Sequence, residues 1–257
     1  MWKLRKMTIS ILTLFPEMFA GPFDHSIIRR AKDKNIVHIN FVNIRDFSSD
    51  TYKTVDDHPY GGGVGMIMRV DVVNRALEHM KALCKRTSCK TILLDPQGTP
   101  YTQAKAKELS SIDHLILICG HYEGVDERVR SLVDETISIG DFIVTGGEIP
   151  AMVLIDSVVR LLPGVLKKDT ATLDESFTQP LLEYPQYTRP KEFNGMAVPN
   201  VLLSGNHAAI DKWKKIQQLA NTKNRRPDLL KIKSFTEFTP YSLLLRSKRI
   251  TRRRQSS

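Results

Sequence analysis

The sequence predicts an α/β fold in which helices flank a parallel β-sheet. Over the first two thirds of the chain, short apolar runs alternate with segments of helical periodicity. The runs at 115–119 and 136–139 are not amphipathic, which is typical of strands buried on both faces, and each ends in a polar turn with glycine. Ligands of open α/β sheets bind beyond the carboxyl ends of such strands. The two turns therefore predict a pocket, although each glycine taken singly could be an ordinary loop residue.

The individual elements follow from the spacing of apolar residues. We predict strands at 9–14, 36–44, 91–95, 115–119 and 136–139, and helices at 26–34, 70–84, 102–110 and 150–162. Pro150 stands near the start of the last helix, where proline is tolerated because the N–H that it lacks would have no helical partner. Strands that alternate with helices in this order indicate parallel pairing.

The distribution of charge divides the chain. Residues 1–179 hold 22 Lys and Arg against 23 Asp and Glu, a balance of −1, whereas residues 180–257 hold 16 against 5, a balance of +11. Lys and Arg release counterions when they neutralise phosphates, so a basic region on a near-neutral body indicates nucleic-acid binding. A merely solubilising tail is the alternative. We predict a domain at 1–166, a polar linker at 167–179 and a basic helical domain at 180–257.

The basic third has helical signals of its own. After Asn206 we predict an amphipathic helix whose apolar residues share one face, namely Ile210, Trp213, Ile216 and Ala220. Pro227 and Pro240 each stand near the start of a Leu-rich stretch and indicate two further helices. A small helical domain is therefore expected.

Several classes of protein are disfavoured by what the sequence lacks. No apolar run approaches the roughly 18 residues of a membrane span, and the run behind the basic start is too short for a signal peptide, so we expect a cytoplasmic protein. Cys84, Cys89 and Cys119 show no CxxC pairing and no companion His at metal spacing, which favours reduced thiols over structural zinc, with Cys119 in the core. The motifs GxGxxG, GxxxxGK(S/T), HExxH and GxSxG are absent. The predicted pocket therefore needs another ligand.

A glycine-rich stretch at 59–66 follows a long unpatterned segment with several acidic residues. Loops of this length are usually functional or disordered. Tyr60 and the backbone amides of Gly61, Gly62 and Gly63 could meet a base and a phosphate. A purely structural glycine turn is the alternative.

Eight segments together resemble one enzyme family. They are PYGGGVGM (59–66), DPQG (95–98), CGHYEGVDER (119–128), SIGDFIVTGGE (138–148), DSVVR (156–160), LPGV (162–165), YPQYTRP (184–190) and VLLSGNH (201–207). With these motifs in this order, the chain resembles the bacterial tRNA (guanine-N1)-methyltransferases, which modify the guanosine just 3′ of the anticodon, at position 37. The resemblance runs from about residue 7 to about residue 230 and leaves out residues 1–6 and the C-terminal tail.

The resemblance implies a SPOUT-type domain with a deep trefoil knot, an obligate homodimer whose active site is shared between subunits, tRNA as substrate and S-adenosylmethionine as methyl donor. It also implies a need for Mg²⁺, with Glu123, Asp126 and the carboxylates between 46 and 57 as possible participants and the ligands left open. The implied cofactor-binding residues are Pro96, Gly98, Gly120, Tyr122, Glu123, Ser138, Ile139, Gly140, Asp141, Phe142, Ile143, Val144, Gly146 and Gly147. The implied substrate-binding residues are Tyr60, Gly61, Gly62, Gly63 and Arg189.

Two residues carry the catalysis that the resemblance implies. Arg160 matches the active-site arginine and would stabilise negative charge on guanine O6, although read alone it would pair with Asp156 at i, i+4 on one helix. Glu175 stands where the family has an aspartate as general base. Because Glu is one methylene longer than Asp, either the backbone lies farther from N1 or Asp174 takes part.

Two other functions remain as alternatives. One is a SPOUT-type enzyme that methylates the ribose 2′-O of an RNA, and the other is a non-catalytic RNA-binding protein with structural glycine turns. Comparing the methylation of tRNA that carries guanosine at position 37 with that of tRNA that carries adenosine there distinguishes the first alternative from a guanine-N1 methyltransferase. Equilibrium dialysis with S-adenosylmethionine discriminates the second.

Overall fold

The computed structural model describes residues 6–84, 88–167, 172 and 175–231. The chain separates into two compact units, Met1–Asp169 and Thr170–Ser257. Residues 175–179, which we assigned to the linker, fall within the second of these units. The division of the chain into a catalytic domain, a linker and an RNA-binding domain stays a prediction.

The first unit is built on a parallel sheet. Its strands are β1 (Met7–Thr13), β2 (Val37–Asn43), β3 (Asp56–Asp57), β4 (Ile67–Met68), β5 (Cys89–Pro100), β6 (His114–Cys119) and β7 (Glu135–Ser138). Five of them form one sheet in the order β2-β1-β6-β5-β7, and every neighbouring pair is parallel. The short strands β3 and β4 form a separate antiparallel pair. The predicted parallel sheet is confirmed.

The helices of the first unit follow the apolar periodicity. They are α1 (Ser26–Asp33), α2 (Val70–Ala82), α3 (Gln103–Leu109) and α4 (Glu148–Val159). The helix predicted at 150–162 begins at Glu148, with Gly147 as its N-cap, and ends at Val159. Pro150 therefore lies in its first turn. None of the described helices is long and apolar enough to cross a membrane.

Strand β5 extends beyond its predicted end. The apolar run predicts 91–95, but the strand continues to Pro100 because Thr99 pairs with Ile137 of β7 after a register shift. This second pairing joins residues far apart in sequence, so no local pattern reveals it. Residues 95–98 consequently lie in the irregular part of β5, at the carboxyl edge of the sheet.

Strand β6 lies at the centre of the core, and all six of its residues are buried. Leu115, Leu117 and Cys119 belong to a cluster that includes residues of α1, α3 and α4, whereas Ile116 and Ile118 belong to a cluster that includes residues of α2. The predictions that this strand is covered on both faces and that Cys119 is a core residue are confirmed.

The cysteine prediction is wrong in one respect. Cys84 and Cys89 do have a companion histidine, because Cys84 Sγ lies 3.1 Å from His114 Nδ1. Pairing between β5 and β6 sets Cys89 beside His114, so the sheet register rather than local spacing brings them together. Sequence spacing misses a contact of this kind.

The second unit is helical with a small hairpin. Its elements are β8 (Glu192–Phe193), β9 (Met196–Ala197), α5 (Asn200–Leu203) and α6 (His207–Arg225). Asn206 caps α6, since its Oδ1 accepts a hydrogen bond from the Ala209 N–H at 3.1 Å. Residues 228–231 are helical after Pro227, as predicted. The helix predicted after Pro240 lies outside the described residues.

The packed face of α6 differs from the predicted apolar face. Ile216 is 52% exposed and Ala220 is exposed, whereas Thr222 is fully buried. Thr222 Oγ1 accepts a hydrogen bond from the Leu182 N–H at 2.8 Å. Hydrogen bonds to the preceding segment therefore orient this helix, and an apolar pattern cannot reveal them. The predicted helix is present and includes the four apolar residues, but Ile216 and Ala220 are not buried.

Candidate active site

A cavity of about 460 Å³ opens at the carboxyl ends of β5, β6 and β7. Small-molecule sites usually have volumes of about 300–1,000 Å³. The cavity is lined by residues 94–97, 120–124 and most of 137–147, together with Pro150 of α4. The two polar turns that the sequence places after apolar strands thus meet in one cavity.

Twelve of the fourteen residues predicted to bind a cofactor line this cavity. They are Pro96, Gly120, Tyr122, Glu123, Ser138, Ile139, Gly140, Phe142, Ile143, Val144, Gly146 and Gly147. Gly98 and Asp141 are not among the lining residues; Gly98 packs against β7 and the Asp141 side chain is exposed. Cofactor binding by any of the fourteen stays a prediction.

Close backbone contacts explain two of the glycines. A Cβ on Gly147 would lie 2.6 Å from Cys119 Cα, and a Cβ on Gly98 would lie 2.5 Å from the backbone of Ile137. Either distance is far below the usual contact between carbon atoms. The Gly147 N–H also donates to the Gly120 carbonyl at 2.8 Å. Close backbone packing and a backbone hydrogen bond therefore hold the turn after β6 against the turn after β7.

Gly140 forms a tight turn at the rim of the cavity. Ser138 Oγ accepts a hydrogen bond from the Gly140 N–H at 3.3 Å and donates to the Gly140 carbonyl at 3.1 Å. A φ of +151° at Gly140 is accessible to glycine, and a Cβ there would meet the Phe142 ring at 2.6 Å. The turn leaves Phe142 55% and Ile143 80% exposed.

Two buried polar atoms beside the cavity have no hydrogen-bond partner among the described residues, namely Glu148 Oε2 and His121 Nδ1. Glu148 Oε1 accepts from Thr13 Oγ1 at 2.7 Å, and its position in the first turn of α4 sets the carboxylate near the positive end of the helix dipole. A Cβ on Gly146 would overlap Glu148 Oε2 and lie 2.7 Å from His121 Nδ1. Unpartnered atoms of this kind suit a site that a polar ligand completes.

Tyr122 adopts an unusual backbone conformation in the cavity wall. Its φ is +59°, a region that residues other than glycine enter at a cost in free energy. Arg45 Nη2 donates to its hydroxyl at 3.3 Å, and the ring meets His121 edge-on with centroids 5.0 Å apart. These contacts hold the Tyr122 side chain at the edge of the cavity.

The glycine-rich loop at 59–66 adjoins the same cavity through its last residues. The Glu123 N–H donates to the Met66 carbonyl at 3.0 Å, and a Cβ on Gly65 would overlap the Glu123 side chain. The predicted substrate residues at the tip of the loop are all exposed: Tyr60, Gly61, Gly62 and Gly63. The loop therefore presents an aromatic ring to solvent.

The two predicted catalytic residues do not line the cavity. Arg160 lies just past the end of α4, and its N–H donates to the Asp156 carbonyl at 3.2 Å. It follows Pro150 by ten residues, a rise of about 15 Å along the helix axis from that lining residue. Glu175 is half-buried and Arg189 is exposed, both in the second unit. Asp174 lies outside the described residues.

Residues 7–232 match the family described as tRNA (Guanine-1)-methyltransferase TrmD. The chain belongs to this family. It is 57% identical over 232 residues to the tRNA (guanine-N(1)-)-methyltransferase of Carboxydothermus hydrogenoformans, with 90% of each chain covered. Proteins of the same name are 54% identical over 225 residues in Staphylococcus carnosus (87% of this chain, 91% of that one) and 53% over 226 in Pelotomaculum thermopropionicum (88% and 90%).

Eight further residues line the cavity of this TrmD-family chain and were not among the fourteen predicted to bind a cofactor. They are Leu94, Asp95, Gln97, His121, Gly124, Ile137, Thr145 and Pro150. Five of these lie within segments that carry the family resemblance, so their position in a motif could have identified them as residues of the cavity. Asp95 has a defined role in shaping the wall, because its Oδ1 accepts from Arg130 Nη2 at 3.0 Å and from the Gln97 N–H at 2.8 Å.

The carboxylates suggested as Mg²⁺ ligands are engaged in protein contacts. Asp126 pairs with Arg128 at 2.7 Å and Asp46 pairs with Lys53 at 2.7 Å. A hydrogen bond from Ser48 is the main cause that lowers the pKa of Asp50 to about 2. In the part of the chain that the structure describes, no three carboxylates converge on a common point. The ligands of Mg²⁺ therefore stay open.

Proposed function

We propose that this protein transfers a methyl group from S-adenosylmethionine to N1 of guanosine 37 in tRNA. One observation carries the proposal: the family motifs at 95–98, 119–128 and 138–148 all contribute residues to one cavity of about 460 Å³. Membership of the TrmD family, over residues 7–232, supports the same reaction.

The cavity has the features that S-adenosylmethionine requires. The absence of side chains at Gly120 and Gly147 lets the backbone form part of its wall, and Phe142 adds apolar surface for a base. His121 also lines the cavity and brings a polar side chain to its wall for the charged end of the molecule. When bound, S-adenosylmethionine supplies an electrophilic methyl group on a sulfonium.

Glu175 and Arg160 would act together on the guanine. The Glu175 carboxylate would accept the N1 proton, and Arg160 would hydrogen-bond to O6, where negative charge develops. An ordinary Glu has a pKa of about 4.3 and is a weak base for a guanine imide. Stabilisation of O6 by Arg160 is therefore as necessary to this mechanism as the base itself.

The basic second unit and the exposed loop at 59–66 would hold the tRNA. Residues 180–257 carry a net charge of +11, and Lys212 and Lys215 are exposed on α6. Tyr60 is fully exposed and could stack on a base, while Arg189 is exposed for contact with phosphate. Phosphate contacts would position the tRNA, and stacking would engage an unpaired anticodon-loop base.

We further propose that the active site is shared between two subunits of a homodimer. Arg160 is not among the residues that line the cavity of its own chain and lies about 15 Å along the helix axis from Pro150, so a second chain would be a source of an arginine at that cavity. Ile149 and Val153 of α4 are 45% and 44% exposed and lie one helical turn apart. This apolar stripe is suited to contact with a second copy.

The dimer can be tested on α4. We expect the double change Ile149→Asp and Val153→Asp to convert a dimer into a monomer, because two carboxylates would be buried at the interface. Light scattering coupled to size-exclusion chromatography would measure the mass, and methylation should fall at least about tenfold. Leu83→Asp is the control, since Leu83 is an exposed apolar residue that caps the C-terminus of α2, away from α4 in sequence. A double variant that stays dimeric would contradict the proposed interface.

The remaining implied properties are also proposals. A SPOUT-type knot is supported by the family resemblance and by the parallel sheet that the fold contains. A cytoplasmic location follows from tRNA as substrate. For Mg²⁺ the ligands stay open, so no step of the mechanism is assigned to it.

The deciding experiment is nucleoside analysis of tRNA treated with the protein and S-adenosylmethionine. We expect 1-methylguanosine with tRNA that carries guanosine at position 37 and no product when adenosine replaces it. A 2′-O-methylated nucleoside would instead favour the ribose methyltransferase. Equilibrium dialysis should show binding of S-adenosylmethionine, and its absence would leave only the RNA-binding alternative.

A further inference from the structure

Three potential metal ligands meet at the edge of the sheet opposite the cavity. Cys84 follows α2, Cys89 begins β5 and His114 begins β6. Their ligand atoms, Sγ of each cysteine and a ring nitrogen of the histidine, all lie within 4.8 Å of one another. Cys89 Sγ is 2.6 Å from Cys84 Sγ, which is 3.1 Å from His114 Nδ1. Three elements thus contribute to one compact cluster.

The histidine is oriented as metal-binding histidines are. His114 is 6% exposed, and its second ring nitrogen, Nε2, lies 2.9 Å from Oγ of the buried Ser10. A partner of this kind fixes the ring so that Nδ1 points at the two sulfurs. Burial also lowers the pKa of His114, which favours the neutral form of the ring.

We propose that Cys84, Cys89 and His114 form a binding site for a soft divalent metal ion, Zn²⁺, that is separate from the methyltransferase cavity. Thiolate and imidazole are the ligands that Zn²⁺ prefers. Two thiolates and one neutral imidazole neutralise a divalent ion, which suits a half-buried position. Three protein ligands leave a fourth, tetrahedral position to solvent.

The ligand geometry requires a small adjustment. Tetrahedral Zn–S bonds of about 2.3 Å place two sulfurs about 3.8 Å apart, so the cysteine side chains must separate by about 1 Å. Both cysteines are only partly buried, which leaves room for rotation about χ1. Burial, followed by the hydrogen bond with Cys84, raises the pKa of Cys89 to about 12, so the metal must displace a proton from that thiol.

A disulfide between Cys84 and Cys89 is the competing explanation for their proximity. It would give no role to the buried His114, whose Nδ1 faces Cys84 and whose orientation depends on Ser10. Thiols of an enzyme that acts on tRNA are expected to stay reduced, and in such compartments clustered cysteines more often bind metal. A disulfide would leave neither cysteine as a free thiol and would bind no metal, whereas the metal site keeps both cysteines reduced and holds one Zn²⁺.

The test uses the full-length protein, purified with reductant, freed of metal by a chelator and titrated with Zn²⁺ against a chromophoric zinc indicator. We expect one Zn²⁺ per chain and at least about a 100-fold loss of affinity in Cys84→Ser and in Cys89→Ser. Ser10→Ala should weaken binding by about 10–100-fold, because Ser10 only orients His114. Co²⁺ in place of Zn²⁺ should give thiolate-to-cobalt charge-transfer absorption that either cysteine change abolishes.

Matched controls separate this site from general thiol or imidazole binding. Cys119→Ala and His79→Gln should retain the wild-type affinity for Zn²⁺, and circular dichroism should show that all variants fold. Zn²⁺ should raise the Tm of the wild type but not that of Cys84→Ser. Equal Zn²⁺ affinity in wild type and Cys84→Ser would overturn the proposal. So would titration showing that reduced protein binds no Zn²⁺ and that Cys84 and Cys89 form a disulfide once reductant is removed.

Discussion

Replacing Glu175 with Gln is expected to lower the rate of single-turnover methylation by about 10²–10⁴-fold, the usual contribution of a general base. Gln keeps the size and hydrogen-bonding reach of Glu but cannot accept the N1 proton. The measurement is formation of 1-methylguanosine with enzyme in excess over tRNA. Binding of S-adenosylmethionine, followed by equilibrium dialysis, should not change, because Gln keeps the size of the side chain and Glu175 is proposed to act on the guanine rather than on the methyl donor.

Two further variants make this result specific. Glu175→Asp keeps the carboxylate and has the residue that the resemblance implies at this position, so it should retain much more activity than Glu175→Gln. Asp174→Asn should have a small effect if Glu175 is the base. If only Asp174→Asn abolishes methyl transfer, Asp174 is the base and the assignment of Glu175 is wrong.

Replacing Gly98 with Ala is expected to destabilise the first unit by about 1–3 kcal/mol or more, as overpacking of a core does. The added Cβ would lie 2.5 Å from the backbone of Ile137, and the backbone cannot rotate away as a side chain can. Strands β5 and β7 would have to separate, which would distort the cavity between them. Urea unfolding would measure the loss, and S-adenosylmethionine binding should weaken with it.

Gly120→Ala is the matched control for this prediction. Gly120 also belongs to the cavity, but a Cβ there would lie 3.7 Å from its nearest neighbours, the Leu94 carbonyl oxygen and Val125 Cγ1, which is ordinary contact. Its free energy of unfolding should stay within about 0.5 kcal/mol of wild type. Equal stability of the Gly98→Ala and Gly120→Ala variants would show that the sheet accommodates a side chain at Gly98.

Local patterns were sufficient to predict most of the sheet and its helices. Strand β6 is predictable because an uninterrupted apolar run such as 115–119 needs cover on both faces. The extension of β5 is not predictable in this way, because Thr99 finds its partner Ile137 only through the tertiary fold. The packed face of α6 also escaped prediction, since buried Thr222 rather than Ile216 decides it.

The candidate site was predictable to the extent that its residues lie in motifs. Glycine turns after two strands indicated a pocket, and the family resemblance supplied its ligand and its candidate base. The unpartnered state of His121 and Glu148 depends on packing against Gly146, which no sequence pattern encodes. The approach of His114 to Cys84 likewise depends on the register between β5 and β6.

The unpartnered atoms of Glu148 and His121 also bear on the balance between stability and activity. A buried polar atom without a hydrogen bond lowers stability by about 1–3 kcal/mol, so the ligand-free protein is less stable than its core packing alone would allow. Substitutions that made this region apolar would favour the folded state while removing contacts that a polar ligand needs. Selection for heat resistance alone would therefore tend to erode the binding site, and any stabilised form of this protein has to draw its gains from residues remote from the cavity.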